Sequence, residues 1–179
     1  MVALLRLSRV IDAINERVGR ATMWLVLLAA LVSAGNALFR YSFNMSSNAW
    51  LEIQWYLFAL IFLLGAGYTL KHNGHVRIDV LYGRLAPRTR AWIDLAGSLL
   101  FLLPTAGLIA WLSWPALLDS YLIGEMSSDA GGLSRWPIKL AIPVGFTLLA
   151  LQGLSEAIKR LAFLLGKGPL PGEQAEEVA

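Results

Sequence analysis

The chain has 179 residues, 57% hydrophobic and 15% charged, with a mean hydropathy of +0.60; soluble domains are about half apolar and about a quarter charged, so this composition indicates a membrane protein. The absence of cysteine excludes a disulfide framework, a thiolate metal site and a cysteine nucleophile. The formal charge of +3 does not predict nucleic-acid binding, because the basic residues lie between apolar runs and not on one soluble face.

Residues 1–20 have an amphipathic pattern. The apolar positions recur at three- and four-residue steps, as on one face of a helix, and they are Leu4, Leu7, Ile11, Ile14 and Val18. The arginines of this segment lie mainly on the other faces. We predict a basic amphipathic helix that lies in the membrane interface, with a bend at Gly19. An equally good interpretation is that this segment extends the first spanning helix into the cytoplasm.

Four apolar runs have the length of membrane-spanning helices. A helix needs about 20 apolar residues to cross a hydrocarbon core of about 30 Å, and we predict spans at about residues 21–39, 49–70, 92–115 and 137–158. The fourth run reaches this length only if Lys139 extends its ammonium group toward the headgroups. The first run is too long for a signal peptide and has no A-x-A cleavage site. The predicted fold class is an all-α integral membrane protein with four transmembrane helices.

The distribution of lysine and arginine predicts the orientation. Twelve of them fall on the side of the two termini and of the loop between the second and third spans, and two fall on the opposite side. Short cytoplasmic loops carry the excess of these residues, so both termini are predicted to be cytoplasmic. The last segment, residues 166–179, is rich in glycine, proline and glutamate and is predicted to be a disordered cytoplasmic tail.

Both histidines lie in one short stretch, KHNGHVRID, at residues 71–79. Asn73 and Gly74 form a turn signal between His72 and His75. Two histidines without a third ligand make a poor metal site, so we interpret the stretch as the corner at which the chain re-enters the membrane. The chain has no phosphate-binding glycine loop, no nucleophile elbow and no histidine within a predicted span. We therefore predict neither an enzyme nor a bound metal or cofactor.

A few polar residues near the ends of the spans are candidates for contacts between helices. Glu52, Asp94, Lys139 and Glu156 each fall within a few residues of a helix end, where burial of a charge costs less than at mid-bilayer. For Glu52 we favour an ion pair or a hydrogen bond over proton or substrate coupling. Asn36 lies beside a column of small residues, which predicts a packing surface within the bundle or against another subunit.

Three segments in this order resemble the small membrane subunit of tripartite ATP-independent periplasmic (TRAP) transporters. They are FRYSF at residues 39–43, the stretch at residues 50–81, and WPIKLAIPVGF at residues 136–146. The second stretch carries the family's acidic residue at the start of a helix, a Leu-Gly pair, and a His-x-x-x-Asp corner. These positions are Glu52, Gly65, His75 and Asp79. The last stretch contributes Pro143, Gly145 and Phe146.

The resemblance implies a role as well as a fold. Such a subunit is a four-helix scaffold in the bacterial inner membrane, bound to a large multi-helix subunit that carries the substrate and sodium sites and moves in an elevator-like way. A periplasmic substrate-binding protein delivers the solute, usually an organic acid, for symport. The candidate interface or structural residues are Asn36, Arg40, Trp50, Glu52, Gly65, His75, Asp79, Glu125, Arg135 and Pro143.

Alternatives remain for the loop and for the function. The loop at residues 120–136, with Glu125, Asp129 and Arg135, either touches the binding protein or is a solvated connection. A second function is a small proton-coupled exporter that works as a homodimer with Glu52 as its cation site. Against it, such a carboxylate is expected deep in the bundle. A third is a membrane anchor for a soluble redox partner.

Overall fold

The computed structural model describes residues 1–44, 47–75 and 82–169. Asp79 and residues 170–179 of the tail lie outside the described residues, so the predictions for them stay predictions. In the described part the regular structure is helical, apart from an isolated antiparallel bridge between Met126 and Ser134, and turns and loops connect the helices.

The helices form four long segments. The elements are α1 (Val2–Phe43), α2 (Asn48–Lys71), α3 (Pro87–Gly97), a π-helical turn (Ser98–Leu102), α4 (Leu103–Leu122) and α5 (Trp136–Leu164). The α3 helix, the π-helical turn and α4 follow one another without a break and form the third span, Pro87–Leu122. Among the described residues, four helical segments are long and apolar enough to cross a membrane. The predicted fold class is thereby confirmed.

The α1 helix is longer than the predicted first span. Its 42 residues form one helix that continues through Gly19. Gly19 allows α1 to pack closely against α2, because a Cβ atom at this position would lie 2.3 Å from the ring of Tyr68.

The third and fourth spans also differ from their predicted lengths. The third helical segment begins at Pro87, five residues before the predicted span, because a proline at the first helical position needs no backbone N–H donor. It ends at Leu122, since Pro115 lies inside the helix and does not end it. The α5 helix continues past the predicted residue 158 to Leu164, and its charged residues in this part have partners inside the bundle.

The α5 helix is the centre of the arrangement. It packs against α1, α2 and the third span, and α1 and α2 also pack on each other. The first, second and fourth spans (α1, α2 and α5) therefore pack against one another, and the third span joins them mainly through α5. Much of the third span is left exposed, for example Trp111 and Phe101, which are 78% and 72% exposed.

The inside of the bundle holds large polar side chains beside small and apolar ones, and the outside is mainly apolar. The largest fully buried side chains are Gln152, Glu52, Asn15, Ser8, Ser120 and Ser155. Many large apolar side chains are exposed instead. This distribution suits lipid, because lipid provides no hydrophobic drive for helices to associate, and helices then associate through close packing and hydrogen bonds.

Small residues bring the helix backbones together. A Cβ atom at Gly145 of α5 would lie 2.7 Å from the carbonyl oxygen of Leu63 in α2, so no other residue fits without a backbone shift. Pro143 is buried two residues before the same contact, and its carbonyl accepts a hydrogen bond from the Thr147 hydroxyl at 2.6 Å. The α2 and α5 backbones therefore cross at Gly145.

This crossing predicts the effect of a single methyl group. Gly145→Ala should lower the free energy of unfolding by about 1–3 kcal/mol, because the added Cβ atom overlaps the Leu63 backbone. Gly107→Ala is the matched control. A Cβ atom at Gly107 in α4 meets nothing within 4 Å, so this change should be neutral or slightly stabilising. Thermal unfolding of both variants in detergent would test this, and equal melting temperatures would contradict the crossing.

Candidate functional site

Polar side chains gather at two levels of the bundle. At one end, Glu52 in α2 faces the loop of residues 123–135, and Lys139 in α5 lies nearby. At the other end, α5 carries Glu156, Lys159 and Arg160. Lys139 and Glu156 are 17 positions apart in one helix, which corresponds to about 26 Å. This distance is close to the thickness of the hydrocarbon core, about 30 Å, so the two levels mark the two membrane boundaries.

Glu52 is an anchor for the loop that connects the third span to α5. Its side chain is buried, with 1% of its surface exposed. One carboxylate oxygen accepts a hydrogen bond from the Ser127 hydroxyl, and the other accepts the backbone N–H of Leu133 at 2.6 Å. We call Glu52, Ser127, Leu133 and Arg135 the Glu52 cluster. Both carboxylate oxygens are thus used to hold the loop over the first turns of α2.

Further contacts fasten the same loop. The Tyr56 hydroxyl donates to the carbonyl oxygen of Ser134, and the Asn48 amide donates to that of Ala130, both at 3.1 Å. The Arg135 guanidinium donates to the Ser127 hydroxyl at 3.3 Å and lies 5.4 Å from the centre of the Trp55 ring. The loop is therefore attached to α2 at several points.

Glu125 and Lys139 pair at the start of α5. The Lys139 ammonium donates to the Glu125 carboxylate, and this hydrogen bond holds the pKa of Glu125 below its ordinary value of 4.5. The ammonium of Lys139 thus reaches a carboxylate of the loop. Two of the loop residues considered for contact with a partner, Glu125 and Arg135, are engaged within the chain, while Asp129 is exposed.

The opposite end holds a second cluster, which we call the ion-pair cluster. Its members are Asp12, Asp94, Gln152, Ser155, Glu156, Lys159 and Arg160. Arg160 is 5% exposed and donates to Asp94 of α3 at 2.7 Å and to Glu156 at 3.0 Å. Lys159 pairs with Asp12 of α1 at 3.2 Å and also with Glu156. Two neighbouring cations of α5 thus bind both α1 and the third span.

Neutral side chains complete the contact between α1 and α5. Asp12 accepts hydrogen bonds from Ser155 at 2.7 Å and from Gln152 at 2.9 Å. The hydroxyls of Ser8 and Ser155 are 2.7 Å apart. With Lys159, Asp12 therefore has three partners on α5, which are enough to stabilise its charge in a largely buried position.

The second helix is joined to the same end through Glu16 of α1. Its carboxylate accepts hydrogen bonds from Lys71 and His72 of α2, each at 2.8 Å. His72 is therefore a partner of a carboxylate, whereas His75 is exposed at the end of α2. Among the described residues, no group of three or more histidine, aspartate or glutamate side chains is placed to hold a metal ion.

The remaining candidate residues lie at separate places. Asn36 and Arg40 line a concave surface of about 500 Å³ at the outer ends of α1 and α2, together with Ser33, Ala37, Tyr41, Asn44 and Gln54. The Trp50 ring stacks near Phe39, with ring centres 6.2 Å apart. A Cβ atom at Gly65 would lie 3.7 Å from the Thr22 hydroxyl, which is an ordinary contact distance. The ten candidates therefore do not form one site.

The sequence interpretation missed most of the ion-pair cluster. It singled out Asp94 and Glu156 as charges near helix ends, but it assigned them no partners, and it did not consider Asp12 or Arg160. A usable signal was present, since Gln152, Glu156 and Arg160 follow one another at four-residue steps and thus share one helix face. Such a polar face on an apolar helix predicts a contact inside the bundle.

The Glu52 cluster predicts how the loop responds to mutation. Glu52→Ala removes the acceptors for Ser127 and Leu133 and should raise amide hydrogen exchange across residues 123–135 by about tenfold or more. Glu52→Gln should have a much smaller effect, because its amide oxygen accepts the Leu133 N–H and its amide nitrogen donates to the Ser127 hydroxyl. Hydrogen exchange with mass spectrometry measures both variants. Equal exchange in the wild type and in Glu52→Ala would contradict the anchoring role.

The ion-pair cluster predicts a large loss of stability from one substitution. Arg160→Leu leaves the carboxylate of Asp94 without its cation and Glu156 with Lys159 alone, and it should cost about 3–5 kcal/mol. Arg160→Lys retains the charge and should cost less. The control is Arg88→Leu, since Arg88 is exposed on α3. Thermal unfolding in detergent measures the loss of stability in each of the three variants. A loss no greater for Arg160→Leu than for Arg88→Leu would show that the cluster does not stabilise the bundle.

Comparisons with known proteins agree with this architecture. The family described as "Tripartite ATP-independent periplasmic transporters, DctQ component" matches residues 29–163, about three quarters of the chain. A relative from Pseudomonas aeruginosa, "C4-dicarboxylate TRAP transporter small permease protein DctQ", is 35% identical over 98 residues, 54% of this chain and 46% of the relative. A protein of the same name from Rhodobacter capsulatus is 37% identical over 105 residues, 56% of this chain and 44% of that protein.

A third relative is matched over a longer stretch. The "Ectoine TRAP transporter small permease protein TeaB" of Halomonas elongata is 29% identical over 136 residues, 76% of this chain and 69% of the relative. The matched part spans less than half the length of the first two relatives. The family match and the four apolar helices identify a multi-pass protein of the bacterial inner membrane. The chain belongs to the family of small permease subunits of TRAP transporters.

Proposed function

We propose that this chain is the fixed membrane component of a TRAP transporter. In this role it binds a large multi-helix subunit that carries the substrate and sodium sites and moves in an elevator-like way. A periplasmic substrate-binding protein supplies a small organic acid, and the large subunit imports it by sodium symport. The names of the relatives, which mention C4-dicarboxylates and ectoine, support a small organic solute as substrate. Both termini are cytoplasmic in this arrangement, in line with the excess of basic residues on their side.

The observation that carries this proposal is the apolar middle of every span. No aspartate, glutamate, histidine, lysine or arginine occurs at residues 21–39, 53–70, 95–118 or 140–155. A helix bundle that moves an ion or proton across the membrane needs charged or coordinating groups along its path. This chain has its charged groups at the two ends of the spans. It is therefore suited to support a transporter and not to conduct a solute itself.

The surroundings of Glu52 weigh against the alternative of a proton-coupled exporter. An exporter's coupling carboxylate must exchange its partner during the cycle, and it must face a pathway. Both oxygens of Glu52 are bound to the loop of residues 123–135, and the residue lies in the first turns of α2. A structural anchor accounts for these contacts without a further function.

The polar surface at the outer ends of α1 and α2 is the face that we assign to the large subunit. Ser33, Asn36, Arg40 and Gln54 make no hydrogen bond or ion pair with any described residue, although Ser33, Asn36 and Gln54 lie within apolar helices. A polar side chain in contact with hydrocarbon costs free energy unless it is hydrogen-bonded. Contact with polar groups of another membrane protein removes this cost, whereas contact with acyl chains does not. The concave shape of about 500 Å³ leaves room for such a partner.

Purification of the intact complex tests the proposal. With a tag at Ala179 and the transporter genes expressed together, the wild-type chain should elute with the large subunit in equal amount. Asn36→Leu combined with Gln54→Leu should reduce the recovered large subunit by about tenfold, which corresponds to the loss of about two hydrogen bonds. Ser113→Leu is the control, because Ser113 bonds only to the backbone of its own helix.

The outcomes of this experiment separate the two functions. A homodimer without a large subunit would overturn the scaffold role and favour the exporter. Retention of the large subunit by the double variant would leave the scaffold role in place but refute the assigned face. The variants must elute from gel filtration like the wild type, so that loss of the partner is not confused with loss of folding.

A further inference from the structure

The N-terminal half of α1 has two faces with different surroundings. One face is held in the bundle, where Ser8 and Asp12 bond to α5. The opposite face is exposed and forms a shallow concavity of about 510 Å³. It is lined by Arg6, Arg9, Val10, Ala13, Ile14 and Arg17. The contacts of Ser8 and Asp12 fix the rotation of the helix, so these arginines point away from the bundle.

Three of these residues carry charges that form no ion pair in the described part of the chain. Arg6, Arg9 and Arg17 make no ion pair there, in contrast to Arg20, which bonds Glu16 at 2.9 Å. An arginine stays protonated at any physiological pH, so the surface carries three positive charges. Guanidinium groups bind phosphate oxygens through paired hydrogen bonds. The positive charge of this surface therefore favours an anionic ligand.

Apolar side chains between the arginines narrow the class of ligand. Val10 is 56% exposed and Ile14 is 39% exposed. A soluble anion would satisfy the arginines but would leave these side chains in contact with water. A phospholipid satisfies both, because its phosphate meets the guanidinium groups and its acyl chain covers the apolar side chains.

The length of α1 brings this surface to the membrane. The helix has 42 residues and is about 63 Å long, whereas a bilayer with its headgroups is about 40–45 Å thick. Asp12 binds Lys159 in the ion-pair cluster, at one membrane boundary. Arg9 and Arg17 are about 5 and 8 Å from Asp12 along the helix, so both lie near the headgroups. An inclined helix also brings Arg6 to this level and removes Val10 from water.

We propose that Arg6, Arg9 and Arg17, together with Val10 and Ile14, form a binding site for an anionic phospholipid of the cytoplasmic leaflet. Anionic lipids attract basic segments next to the membrane, and the basic residues of this chain lie mainly at the same end. The site is separate from the proposed surface for the large subunit, which lies at the other end of α1. It goes beyond the scaffold role and does not depend on it.

The site can be tested on the purified full-length chain without a partner. The chain is reconstituted in phosphatidylcholine vesicles that contain a trace of spin-labelled phosphatidylglycerol or spin-labelled phosphatidylcholine. Electron spin resonance then measures the fraction of each label that is immobilised by the protein. The wild type should prefer phosphatidylglycerol on the order of fivefold at low salt. The variant with Arg6, Arg9 and Arg17 all changed to glutamine should lose this preference.

A matched control distinguishes binding at this site from a general effect of positive charge. Arg84, Arg88 and Lys167 are exposed near the same end of the bundle, and their replacement by glutamine removes the same three charges. This control should retain the preference. The proposal is overturned if the first variant retains it, or if the control loses it to the same extent.

A second variant separates a lipid from a soluble anion. Val10→Gln combined with Ile14→Gln keeps all three arginines but removes the apolar contacts. A lipid site predicts that this variant loses most of the preference and that added inorganic phosphate does not displace the label from the wild type. An undiminished preference in the variant, or displacement by millimolar phosphate, would refute the lipid and leave a phosphate site. Circular dichroism and gel filtration establish that each variant is folded.

Discussion

The ion pairs of α5 are the contact on which the arrangement of the other helices depends. Lys159 and Arg160 are adjacent in the chain, and they bind Asp12 in α1 and Asp94 in α3. Lipid does not drive helices together by the hydrophobic effect, so close packing and polar contacts decide which helix meets which. Without this cluster the third span would keep its packing against α5 but would lose its ion pair at this end. These ion pairs therefore join α1 and the third span to α5 at one end of the bundle.

The opposite end of the bundle is stabilised by a different set of contacts. There the carboxylate of Glu52 binds a loop through the Ser127 hydroxyl and a backbone N–H, and no cation is among its direct hydrogen-bond donors. Polar contacts thus stabilise both membrane boundaries, while glycine contacts such as that of Gly145 join the apolar middle. A bundle fixed at both ends and closely packed between them behaves as a rigid body. Such rigidity suits a component against which a larger subunit moves.

Local features were predictable from the sequence, and contacts between distant residues were not. The four spans, the helix-end position of Glu52 and the extension of Lys139 toward the membrane surface follow from the order of apolar and polar residues. The pairs Arg160 with Asp94 and Lys159 with Asp12 join residues 66 and 147 positions apart. One sequence does not indicate which distant charges meet. For the same reason Glu125 and Arg135 were considered for contact with a partner, although both are bound within the chain.

The sequence by itself determined that this is a four-helix membrane protein, because hydropathy and charge act locally along the chain and each span must satisfy its own backbone. It also carried the family resemblance, through short motifs in a fixed order. Only the tertiary structure decided that α1 is one continuous helix, that α5 lies at the centre and that the buried charges pair across helices. These features depend on the rotation of each helix about its axis and on its neighbours, and hydropathy contains no information about either.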